Sequence, residues 1–117
     1  MALRESGRAI NQTFNIEAIV RPGLDPGVEG GPELLAFAET VLGTDRGALD
    51  DARNALALRL SPAAVVAASI IAANFTKNDR IANGLGIPSE PPMLEATVDF
   101  RENFGINAYP SAANSLG

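Results

Sequence analysis

The chain has 117 residues, 46% of them apolar but only 5% aromatic, with no tryptophan, cysteine or histidine and a formal net charge of -5. An acidic balance with nine scattered basic residues argues against a nucleic-acid partner or an anionic membrane surface. Without cysteine there is no disulfide framework, thiol catalysis or thiolate metal site, and the redox compartment stays open. Without histidine the usual transition-metal ligand and the usual general base near neutral pH are missing too.

At this length one modest core is possible, with roughly two thirds of the unfolded surface buried on folding. Alanine, leucine, isoleucine and valine must supply most of that core, which favours close helix–helix contact. The start, "MALRESGRAINQ", holds charges of both signs and no apolar signal core. Secretion is therefore not expected, and a cytoplasmic location is the default. A short helix is expected from Leu3 to about Thr13.

Residues 21–32, "RPGLDPGVEGGP", are too rich in glycine and proline for any periodic structure and read as a loop. A helix then starts at Pro32, proline being tolerated in a first turn, with Glu33 near the positive end of the helix dipole. Leu34, Leu35, Phe37, Ala38, Val41 and Leu42 recur at three- and four-residue spacings, the stripe of a helix that buries one face, and Gly43 stops it. A second helix runs from about Ala48 to Leu60, with Leu49, Ala52, Ala55, Leu56 and Leu60 inward.

"LSP" at 60–62 is the clearest start signal: Ser61 can cap free N–H groups while Pro62 takes the next position, where a missing donor costs nothing. The helix that follows should reach Asn83, with Gly84 or Gly86 as left-handed terminator and Pro88 preventing continuation. Its most apolar run, Pro62 to Ala73, is well short of the ~20 residues of a membrane span and reads as a buried helix surrounded by neighbours. Asn74 to Arg80 are polar, after which Ile81 and Leu85 should return to the core. A last helix is expected from about Pro92 to Asn103, stopped by Gly105. The final "NAYPSAANSLG" is either a frayed tail or an arm that orders against another chain. No strand-period alternation is long enough for a sheet.

The expectation is therefore an all-α fold, a small helical bundle of about four to five helices. It is divided into an N-terminal segment and loop (1–31), a helical domain (32–105) and a tail (106–117).

Among polar groups the most suggestive is Asn74, Asn78, Asp79 and Arg80, because positions 74 and 78 lie on one helix face and can present amides jointly. Three roles are open to it: a solvated helix end, a subunit contact, or a small-ligand site. Asp50 and Asp51, with Glu39 and Asp45 upstream, do not read as a metal site. Adjacent carboxylates on a helix diverge by about 100°, and no calcium-loop spacing is present. "GVEGG" and "GLG" lack the Gly-Lys-Ser/Thr of a phosphate loop. Ser61, Ser69 and Tyr109 have no histidine to complete a hydrolase triad, and the sole lysine, Lys77, belongs to no motif.

The segment Pro32–Pro88 resembles the C-terminal half of the alkylhydroperoxidase-like, or carboxymuconolactone decarboxylase, family. The resemblance rests on "PELLAFAETVLG", "GALDDARNALALRLSPAAVV" and above all "NFTKNDRIANGLGIP". It implies an all-α domain that forms homo-oligomers by packing these helices against symmetry mates. It also implies what is lacking, because peroxidase members use a Cys-x-x-Cys pair with a nearby histidine and this chain has neither residue type. Thiol peroxidase chemistry is thus excluded. No catalytic, cofactor-binding or metal-binding residue carries over, and no cofactor is expected.

The leading expectation is a non-catalytic or degenerate, oligomeric helical protein with the Ser61–Asn83 helix as core and seam. The alternatives are an enzyme or small-molecule binder with a pocket between subunits, using Arg80, Asn74, Asn78, Asp79 and Tyr109, or one subunit of a hetero-complex that supplies the missing half.

Overall fold

The computed structural model describes residues 13–117, so the helix expected from Leu3 lies outside the described residues. Those residues form an all-α protein without a strand: α1 (Gly31–Val41), α2 (Arg46–Arg59), α3 (Pro62–Leu85), α4 (Pro91–Ala96), α5 (Val98–Asn103) and α6 (Ala113–Leu116), with 3-10 turns at Ile16–Ile19, Ile106–Ala108 and Pro110–Ala112. The chain divides into two compact units, the described residues up to Phe75 and Thr76–Gly117. The boundary falls inside α3.

In the first unit α2 and α3 begin at side chains that cap their orphan donors, whereas α1 begins at a left-handed glycine. α1 follows Gly30, whose φ of 67° is the left-handed conformation that glycine adopts without penalty. Pro32 and Glu33 occupy its first turn, as expected. One Glu33 carboxylate oxygen is buried with no hydrogen-bond partner among the described residues, so the helix dipole is the compensation its position offers. The Asp45 carboxylate accepts the Ala48 N–H at 3.0 Å to open α2, and the Ser61 hydroxyl accepts the Ala64 N–H at 3.1 Å to open α3.

The core of this unit lies between α1 and α2. Phe37, Ala52 and Leu56 are buried, and Leu34, Val41, Leu49, Leu60, Val65 and Ala68 pack around them. Inward positions on α2 therefore follow the expected stripe, except that Ala55 is exposed. α3 supplies only Val65 and Ala68 to this cluster. The expectation that α3 is surrounded is corrected here: none of its residues is buried, and Ile70 is 63% and Leu85 74% exposed. The apolar composition of α3 suits neighbours on several sides, whereas only Val65 and Ala68 pack on the core of the first unit. Ile81, expected to return to the core, is exposed as well.

The second unit opens with the end of α3. Gly86 has a φ of 65°, its N–H bonds to the Asn83 carbonyl at 3.2 Å, and the Ile87 N–H reaches back to the Ala82 carbonyl at 3.0 Å. These two bonds are a Schellman motif, which makes Gly86 the terminator and leaves Gly84 helical. The single helix expected over 92–103 is broken at Thr97, whose hydroxyl donates to the Met93 carbonyl at 2.7 Å. Such back-bonding competes with the helical ladder and bends or ends it. Gly105, with φ 65°, stops α5 as expected, and Phe100 and Phe104 stack with ring centroids 4.6 Å apart. The last twelve residues, open between frayed tail and arm, are wound into 3-10 turns and α6 and tied back by the Ser89 N–H, which donates to the Ser115 hydroxyl at 2.8 Å.

Candidate functional site

The four polar residues singled out on α3, Asn74, Asn78, Asp79 and Arg80, are all exposed and make no side-chain hydrogen bond or ion pair among the described residues. The helix does not hold them as one cluster. At about 100° per residue, Asn74 and Asn78 fall on one face and Asp79 and Arg80 turn away from it in opposite senses from Asn78 and Asn74. Asn74 and Asn78 share their face with Ala63, Ala67, Ile70, Ile81 and Leu85, all seven residues exposed. The two amides thus sit in the middle of an apolar stripe. Val66 and Ile71, both more than half exposed, flank it.

Asp79 is placed differently. Together with Asn83, one turn further along α3, it lines a cavity of about 430 Å³ that lies wholly within the second unit. Tyr109, weighed with Asp79 in the sequence as a possible ligand contact, lines the same cavity, whereas Asn74, Asn78 and Arg80 do not. Apolar lining comes from Ile87, Leu94, Ile106 and Leu116, so the cavity is mainly apolar with a smaller polar part.

Sequence reasoning passed over one residue here, Arg101. Its Nε donates to the Thr97 hydroxyl at 3.2 Å, one terminal nitrogen to the Asn107 side-chain carbonyl at 2.7 Å, and the other to the Leu94 backbone carbonyl at 2.8 Å. All three acceptors are neutral, and no carboxylate lies within ion-pair distance of Arg101 among the described residues. A lone arginine in a helical pattern carries no signal for this, although Thr97 one turn before it is the spacing that lets the two meet.

Of the acidic residues set aside in the sequence, Asp50 and Asp45 are occupied structurally. Asp50 pairs with Arg53 at 2.6 Å and Arg46 at 3.6 Å, and Asp45 caps α2. No group of acidic side chains among the described residues could hold a metal ion. A second cavity, of about 470 Å³, in the first unit offers only the Asp25 and Glu39 carboxylates among ionisable groups and otherwise small or apolar side chains. None of the described helices is long and apolar enough to cross a membrane.

Compared with protein-family models, curated proteins and solved structures, the chain matches none of them.

Proposed function

We propose that the chain is a non-catalytic, self-associating helical protein of the alkylhydroperoxidase-like kind, and that α3 is the seam between two copies. The observation that carries this reading is the exposed stripe Ala63, Ala67, Ile70, Asn74, Asn78, Ile81 and Leu85. Exposed apolar surface of this continuity marks an interaction site, and each large side chain it buries contributes about 1.5–3 kcal/mol.

The spacing of the stripe points to what covers it. Its steps along the chain are 4, 3, 4, 4, 3 and 4, which read the same in both directions, with Asn74 at the centre. A second α3 laid antiparallel therefore meets it in register. Ala63 falls opposite Leu85, Ala67 opposite Ile81, Ile70 opposite Asn78, and Asn74 opposite its own symmetry mate. Small side chains on one half face large ones on the other, the complementarity an isologous two-fold interface needs. Paired asparagine amides in such a seam fix its register at some cost in stability. The resemblance to a family that assembles by packing these helices against symmetry mates supports the same reading, and the lack of cysteine and histidine supports its non-catalytic part.

Because the chain has no cysteine, a single introduced thiol reports this geometry without background. Asn74→Cys should give a disulfide-linked dimer on mild oxidation, whereas Leu58→Cys, which places the thiol on α2 at a residue 88% exposed, should not. Equal cross-linking from both positions, or none from 74, would count against the antiparallel seam.

A further inference from the structure

The second unit carries a cavity in which the hydrogen bonds already made leave donors free on Arg101, Asn107 and Ser115. Arg101 has five N–H groups, and three are committed to Thr97, Asn107 and Leu94. Two remain, one on each terminal nitrogen. The same bonds bias the neighbours. The Asn107 side-chain carbonyl is taken by Arg101, which leaves that residue its NH2 donors. The Ser115 hydroxyl accepts the Ser89 N–H, so its own proton is free to be given elsewhere. Tyr109 adds a phenol, and its hydroxyl makes no hydrogen bond to another described residue.

A half-buried guanidinium held only by neutral acceptors keeps its full positive charge available. Charge-assisted bonds to a carboxylate are about twice as strong as neutral ones, and arginine matches the carboxylate fork. The volume of about 430 Å³ falls within the range of small-molecule sites. Ile87, Leu94, Ile106 and Leu116 would cover an apolar body. Asp79 also lines the cavity and is exposed, and its carboxylate disfavours a second negative charge on the ligand.

We infer that this cavity binds a small organic monocarboxylate, its carboxylate on Arg101 with help from Asn107 and Ser115 and its apolar part against Ile87 and Leu94. This site lies within one chain and does not depend on the α3 seam.

The test uses the full chain and two probes of the same shape, benzoate and the neutral benzamide, titrated against the amide NMR spectrum. Benzoate should cause saturable shifts confined to residues lining the cavity, and benzamide should bind at least tenfold more weakly. Arg101→Gln should abolish the preference for the anion. Since that change also removes three structural hydrogen bonds, Ser111→Leu serves as the second variant: Ser111 lines the cavity, is exposed and bonds none of the Arg101 donors, so a leucine there should block benzoate while the spectrum stays folded. Equal affinity for the two probes, no saturable shift at the cavity, or undiminished benzoate binding by a folded variant would overturn the assignment.

Discussion

Gly30 lies directly against the side chain of Leu60: a Cβ built on the glycine would come within 2.8 Å of Leu60 Cγ, and its backbone stands at a φ of 67°. The N-terminal end of α1 is thereby seated on the C-terminal end of α2. A side chain at position 30 meets two penalties, left-handed backbone strain of about 1–2 kcal/mol and overpacking of about 1–3 kcal/mol. Gly30→Ala should destabilise by at least about 2 kcal/mol in urea denaturation. Leu60→Ala in the same chain removes the clash, so the double mutant should lose less than the sum of the two single losses. Strict additivity would show that the two residues do not meet.

Leu56 is fully buried beside Phe37 and Ala52. Leu56→Ala leaves a cavity at the centre of the first unit and should cost about 2–5 kcal/mol, read as a lower denaturation midpoint. A loss under 1 kcal/mol would mean that the α1–α2 core is not where the stability resides.

The two glycines near the end of α3 should respond in opposite directions. At Gly84 the backbone is helical and a Cβ would meet nothing within 4 Å, so Gly84→Ala should stabilise by up to about 1 kcal/mol. Gly86 holds the left-handed position, and Gly86→Ala should destabilise by about 1–2 kcal/mol. Thermal midpoints of the two variants check this directly, and a reversed order would move the terminator back to residue 84.

The side-chain caps of α2 and α3 should be measurable. Asp45→Ala and Ser61→Ala each remove one acceptor from a helix start and should each cost about 1 kcal/mol. Asparagine at either position should restore most of it, since it offers the same acceptor. Failure of the asparagine variants to recover stability would assign the loss to something other than capping.

Much of this fold is legible in the chain because its signals are local. Pro32, Ser61 with Pro62, and Gly105 mark boundaries through their own backbone preferences, and the apolar stripes of α1 and α2 repeat at the helical period over several turns. What escaped depends on partners or on competing hydrogen bonds. Thr97 sits in an unbroken helical pattern, yet its hydroxyl takes the Met93 carbonyl and ends α4. Ser89 and Ser115 meet across a separation no periodicity encodes. On α3 the pattern gives two apolar sides, and only packing tells that Val65 and Ala68 are the ones this chain covers. The candidate site was partly visible: Asp79 and Tyr109 share a cavity, while Arg101, its central cation, is fixed by three-dimensional neighbours.

The most direct test of the account is the native mass of three proteins by light scattering behind a sizing column: wild type, Ile70→Asp and Leu58→Asp. Ile70 lies in the α3 stripe and is 63% exposed within the chain, whereas Leu58 is apolar, still more exposed, and on α2 away from the stripe. An α3 seam predicts a wild-type dimer or higher even-numbered assembly, an Ile70→Asp variant that stays helical but falls to the mass of one chain, and a Leu58→Asp variant with the wild-type mass. A monomeric wild type, or an assembly that Ile70→Asp leaves intact, would contradict it.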